Sequence, residues 1–137
     1  MKRYLSQDEI NEQKDRRLIL AKQCLPKFNK VYSNVVSCII TYTRQAEGIN
    51  KTIKDSKPHV LQIDIHNSSS MVTISCMNND CTKGYFDLSN RIQNMIHSSE
   101  RFCEGELVCD GYQDAERINI NQCLCKLFYK IQIEYAL

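Results

Sequence analysis

The chain has 137 residues with 42% apolar content, enough for one hydrophobic core and short for more than one ordinary domain. Its 18 basic and 16 acidic residues leave a formal net charge of +2, which excludes a global field able to steer it onto nucleic acid or an anionic membrane. No run approaches the ~20 apolar residues of a membrane span, and residues 1–9 carry two cations without the apolar stretch of a secretory signal, so a soluble, cytoplasmic chain is expected.

In chain order, Ser6 followed by Glu9 is a capping-box pattern that opens a helix, and Pro26 marks its end. That helix is polar as far as Arg17; its apolar positions, Ile10, Leu18, Ala21 and Leu25, suit a surface helix or one packed on a second copy. Lys14, Arg16, Arg17, Lys22, Lys27 and Lys30 form the one dense basic stretch, read as a solvated face because no aromatic residues interleave for base stacking. Residues 31–43 are rich in β-branched and aromatic side chains and predict a long strand whose even positions, Tyr32, Val36, Cys38, Ile40 and Tyr42, face the core. The polar, lysine-rich stretch 44–58 reads as a loop.

Residues 59–66 and 71–76 alternate and predict a hairpin closed by residues 67–70, with Ile65 opposite Val72, Ile63 opposite Ile74 and Leu61 opposite Cys76. Asp87 then caps a helix whose stripe is Leu88, Ile92, Met95 and Ile96. Residues 106–110 form a short strand, 110–122 a polar excursion, and 123–135 a long alternating strand with Cys123, Cys125, Leu127, Tyr129, Ile131, Ile133 and Tyr135 on one face. The expected fold is a single α+β domain over residues 1–137: an N-terminal helix to residue 26, a β-rich half from 31 to 76, and a half from 76 to 137 containing the second helix. Its sheet should be mainly antiparallel, of about five strands.

Eight cysteines in a chain without an export signal point to thiols or metal ligands before disulfides; the sequon at Asn67 means little in that setting. Cys76 and Cys81 bracket a polar turn at a strand end, a four-residue gap at the long end of metal-knuckle spacing. Cys109 and Cys123 complete a four-thiolate zinc site if their strands lie side by side. Cys125 shares the face of Cys123 and is either a competing ligand or the first core residue below the site. The hairpin register brings His59 to the same turn as another substitute. The plainer alternative is that all eight are buried or idle thiols.

The residues Cys76 and Cys81, Gly84-x-Phe86-Asp87-Leu88, Leu107-x-Cys109-x-Gly111, Cys123 and the strand ending at Tyr135 resemble a group of small, uncharacterised bacterial proteins with a zinc-ribbon-like arrangement of four cysteines. The resemblance covers residues 72–135. It implies Cys76, Cys81, Cys109 and Cys123 as the site, with Cys125 where an aliphatic core residue would do, and it implies no activity. The helix inserted between the two cysteine pairs departs from an ordinary ribbon.

The chain lacks the ligand-Glu pair and Pro-Cys-x-x-Cys start of a zinc deaminase. It also lacks paired histidines around a glutamate, since His59, His66 and His97 are scattered, and only four glycines leave no phosphate loop. The expected function is a zinc-stabilised binding or adaptor module without catalytic activity, with one structural zinc per chain and a protein partner. A thiol-based redox or metal sensor is the alternative, with Cys103 in a polar segment after the helix as its exposed thiol. Nucleic-acid binding through the first helix, and homodimerisation through that helix or the last strand, stand behind these.

Overall fold

The computed structural model describes residues 6–47, 52–77, 84–110, 112–113 and 121–137. The fold is α+β. Its main sheet is antiparallel and five-stranded: β1 (Val35–Glu47) and β9 (Lys126–Tyr135) form the centre, β6 (Phe102–Val108) lies beyond β9, and β2 (Thr52–Lys54) and β3 (His59–Gln62) share the other side of β1. Two small pairs stand apart, β4 (Thr73–Ser75) with β5 (Tyr85–Asp87) and β7 (Tyr112–Gln113) with β8 (Asn121–Gln122). The helices are α1 (Gln7–Cys24), α2 (Phe28–Val31) and α3 (Ser89–His97). No helix among the described residues is long and apolar enough to cross a membrane.

Alternation organises the sheet. Along β9, Leu127, Tyr129, Ile131 and Ile133 are buried, whereas Lys126, Phe128, Lys130, Gln132 and Glu134 are exposed. The buried row meets Cys38 and Ile40 of β1 in register, with Cys38 opposite Ile133 and Ile40 opposite Ile131. Each aliphatic side chain so buried is worth about 1.5–3 kcal/mol. Leu88 at the cap of α3, Ile92 and Met95 within it, and Phe28 from α2 close the same core.

α1 starts at the expected cap Ser6, whereas the cap position of α3 is Leu88 rather than Asp87, whose carboxylate lies one residue earlier and still takes up a first-turn N–H. The N–H of Glu9 donates to Ser6 Oγ at 3.2 Å, and the N–H of Ser89 donates to the Asp87 carboxylate at 2.9 Å, satisfying N–H groups that the first turn leaves without helical acceptors. Gly105, opposite Tyr129, has a steric reason: a Cβ there would lie 2.6 Å from Tyr129 Oη.

Several expectations need correction. The strand predicted from residue 31 begins at Val35, because residues 28–31 close the short helix α2. A bulge between Val35 and Ser37 buries Val35 and turns Val36 out to 53% exposure, against its expected place on the core face. The expected loop 44–58 contains strand at both 44–47 and 52–54: β1 runs to Glu47, Ala46 is buried, and β2 pairs back on it with Ala46 opposite Ile53.

The predicted hairpin does not form either. β3 pairs with β1, with Tyr42 opposite His59 and Ile40 opposite Leu61, while β4 pairs with β5. Backbone groups of residues 65–70, expected to finish and turn the hairpin, bond to α2 and its approach instead. Phe28 N–H donates to Ser68 O, Asn29 N–H to Ile65 O and Ser70 N–H to Pro26 O. Finally, Cys103 is no exposed loop thiol but a half-buried residue of β6 opposite Ile131.

Candidate metal centre

Three strand ends converge at one corner of the sheet. β4 stops at Ser75 and delivers Cys76; β6 stops at Val108 and delivers Cys109; Cys123 lies three residues before β9. Cys109 N–H donates to Cys125 O at 2.9 Å, which carries the β6–β9 pairing one step past Val108 opposite Lys126. Cys76 N–H donates to Gly84 O at 3.3 Å, tying the two ends of the segment 77–83 together.

The Sγ atoms of Cys76, Cys109 and Cys123 lie within 4.8 Å of one another, and Cys76 and Cys123 are 3.7 Å apart. Sulfurs around a tetrahedral zinc at ~2.3 Å are separated by about 3.8 Å, so the spacing fits a thiolate-bound ion. Cys109 and Cys123 are fully buried and Cys76 is half-buried. This cluster could hold a metal ion.

Cys81, the remaining expected ligand, lies outside the described residues. Cys125 is buried next to the cluster but is not one of the three clustered thiols. A side-chain hydrogen bond with Cys76 holds its pKa below the ordinary thiol value, helped by the Met77 N–H and the charge of Arg44 and opposed by burial and by Cys123. His59 is not at the cluster, because its strand joins β1. Its Nε2 sits 3.1 Å from Asp55 and its ring stacks on Tyr42 with centroids 5.2 Å apart.

A polar group that the composition of residues 44–58 does not single out reaches the strand before Cys76. Arg44 donates from Nη1 to Ser75 O at 3.1 Å, directly before Cys76, and from Nε to Asp55 at 3.0 Å. Its backbone N–H donates to the same carboxylate at 2.7 Å, and its guanidinium lies 5.6 Å from the Tyr42 ring centroid. Burial would lower the Arg44 pKa, but the hydrogen bond and charge of Asp55 outweigh it and hold it raised. Burial would likewise raise Asp55, but the hydrogen bonds from Arg44 and His59 outweigh it and hold that carboxyl below its usual range. The signal was present in the pattern: Arg44 continues the even, inward face of β1, and a cation on that face requires an acid partner.

The thiols elsewhere differ. Burial pushes Cys38 up to about 12, and burial chiefly raises Cys103; both are poor nucleophiles at neutral pH. No family model, curated protein or solved structure was found to match this chain.

Proposed function

We propose that the chain is a zinc-stabilised binding or adaptor module without catalytic activity, in which Cys76, Cys109, Cys123 and Cys81 hold one structural zinc. The observation that carries this reading is the convergence of three thiols from three separate strand ends at metal-ligand spacing. Cys81 fits as the fourth ligand because it stands three residues before Gly84, which is bonded to Cys76; three residues of chain span at most about 10 Å. Four thiolates leave zinc no open position for substrate or water, and the burial of Cys109 and Cys123 supports a closed, structural site. Bound zinc would supply cross-linking of β4, β6 and β9, not Lewis-acid chemistry. Arg44 contributes a positive charge beside a cluster that carries excess negative charge when loaded.

Elemental analysis with native mass spectrometry, on protein purified without added zinc, tests the reading. One zinc per chain that a chelator removes together with folded structure at the thiol corner is expected. Protein that lacks metal and folds equally well without it would overturn the assignment. A thiol-based redox or metal sensor is the second reading, and it draws support from Cys125 beside Cys76 rather than from half-buried Cys103. Peptide mapping after mild peroxide treatment should then find modification at Cys76 or Cys125, and unmodified thiols there would eliminate it.

A further inference from the structure

Among the described residues, the outer edge of β6 has no paired strand. β6 runs seven residues without a bulge, pairs only with β9 among the described residues, and ends the strand order. Seven N–H and C=O pairs in a row, half of them directed away from β9, are a template for another strand. On the face turned away from the core the edge reads Phe102, Glu104, Glu106, Val108, all exposed, with Phe102 at 51% and Val108 at 47%. The two glutamates sit between apolar ends; on the neighbouring strand Glu104 is opposite Lys130, Glu106 opposite Phe128 and Val108 opposite Lys126.

Charge decides what can add to this edge. A second copy pairing β6 with β6 about a two-fold centred on Gly105 would place Glu104 directly opposite Glu106 twice, and like charges directly opposite are destabilising. The edge is therefore guarded against its own kind and open to cations. A strand complementary to this outer face places lysine or arginine opposite both glutamates, with apolar residues opposite Phe102 and Val108.

We propose that β6 is a docking edge for an extended, basic segment of a partner protein, reading apolar-x-basic-x-basic-x-apolar, which binds by adding a strand to the sheet. This deepens the binding-module reading, and it does not depend on which metal fills the thiol corner. Backbone hydrogen bonds would provide most of the affinity, and the alternate side chains the selection.

The test uses the full chain and a capped synthetic peptide, Val-Thr-Lys-Thr-Lys-Thr-Phe, followed by fluorescence anisotropy and by amide hydrogen exchange of residues 102–108. A glutamate-for-lysine peptide serves as control, and zinc content is measured on each sample, so that failure of the metal reading registers separately. Binding of the lysine peptide, slowed exchange along β6, and at least about tenfold weaker binding of the control are expected. In the exposed double variant Glu104→Lys, Glu106→Lys the preference should reverse toward the glutamate peptide. Equal affinity for both peptides, no binding at ~1 mM, unchanged β6 exchange, or a double variant with unaltered preference would each overturn the proposal.

Discussion

The two ends of β9 are held by different chemistry. From Leu127 to Ile133 every second residue is a large side chain sealed in the core, and at the far end Tyr135 donates its hydroxyl to Glu100 O at 2.6 Å. At the near end the buried residues are Cys123 and Cys125, which remove far less apolar surface from water. The apolar end has burial to hold it, whereas the thiol end has less; if the proposed zinc fastens the thiol end, the consequence of losing it should be local.

The largest expected effect breaks the thiol end alone. Cys123→Ser or Cys109→Ser should abolish zinc binding; structural zinc in small metal-folded domains is worth on the order of 10 kcal/mol, although here only the share that fastens the corner is lost. Hydrogen exchange should accelerate around Cys109 and Cys125 while residues 129–133 stay protected. Cys125→Ala sharpens the same point: it should keep one zinc per chain and cost about 1 kcal/mol. Loss of zinc in that variant, with retention in Cys123→Ser, would show that the ligand set is misassigned.

Next is the apolar end. Ile131→Ala should destabilise by about 2–5 kcal/mol in urea unfolding, because Ile131 is fully buried on the central strand with Ile40 and Cys103 opposite it on either side. Zinc stoichiometry should stay unchanged. If this variant also lost its metal, the two ends would be one cooperative unit and the comparison would collapse.

The same contrast explains what could be read from the residues. α1, α3 and β9 were legible because a cap or a hydrophobic period is a local signal: Ser6 and Glu9, Asp87, and the alternation from Cys123 onward each specify an element without reference to the rest of the chain. The α+β class and the mainly antiparallel sheet followed from those elements. Partner choice was not legible, because alternation fixes which face of a strand is buried but not which strand it joins. Leu61 and Ile63 would have suited β4, yet β1 offered a longer edge and α2 took the backbone of 65–70. His59 went with its strand, away from the thiols. Thiols at strand ends make the convergence of Cys76 with Cys109 and Cys123 legible, but the polar, lysine-rich composition of residues 44–58 hides the strand that carries Arg44.

Arg44 joins the two regions, since it leaves the core face of β1 and ends on the strand that delivers Cys76. Breaking a fully buried pair costs about 3–5 kcal/mol; with the Arg44 side chain 19% exposed, Arg44→Gln should cost less, about 1–3 kcal/mol. Competition with a chromophoric chelator should show weaker zinc retention in this variant than in Arg44→Lys, which can still reach one acceptor. Equal zinc retention in wild type and both variants would leave Arg44 a strut of the sheet with no bearing on the site.

The smallest effect concerns pH and isolates the acid in that network. Asp55 is held below the usual carboxylate range in the folded chain, chiefly because the Arg44 and His59 hydrogen bonds overcome its burial. A depressed folded-state pKa means that the folded chain releases the proton more readily than the unfolded one. The stability it contributes is therefore fully present above the usual carboxylate range and is lost as pH falls through that range toward the depressed value. Thiolate ligands also take up protons in acid and release metal, so the wild type alone would mix two effects. The informative quantity is the stability difference between wild type and Asp55→Asn in the presence of a chelator. That difference should be largest near neutral pH and shrink as the solution is acidified below the usual carboxylate range. A difference that stays constant across the range would mean that Asp55 acts through its shape and its hydrogen bonds, and that its charge does nothing to hold Arg44 against the strand bearing Cys76.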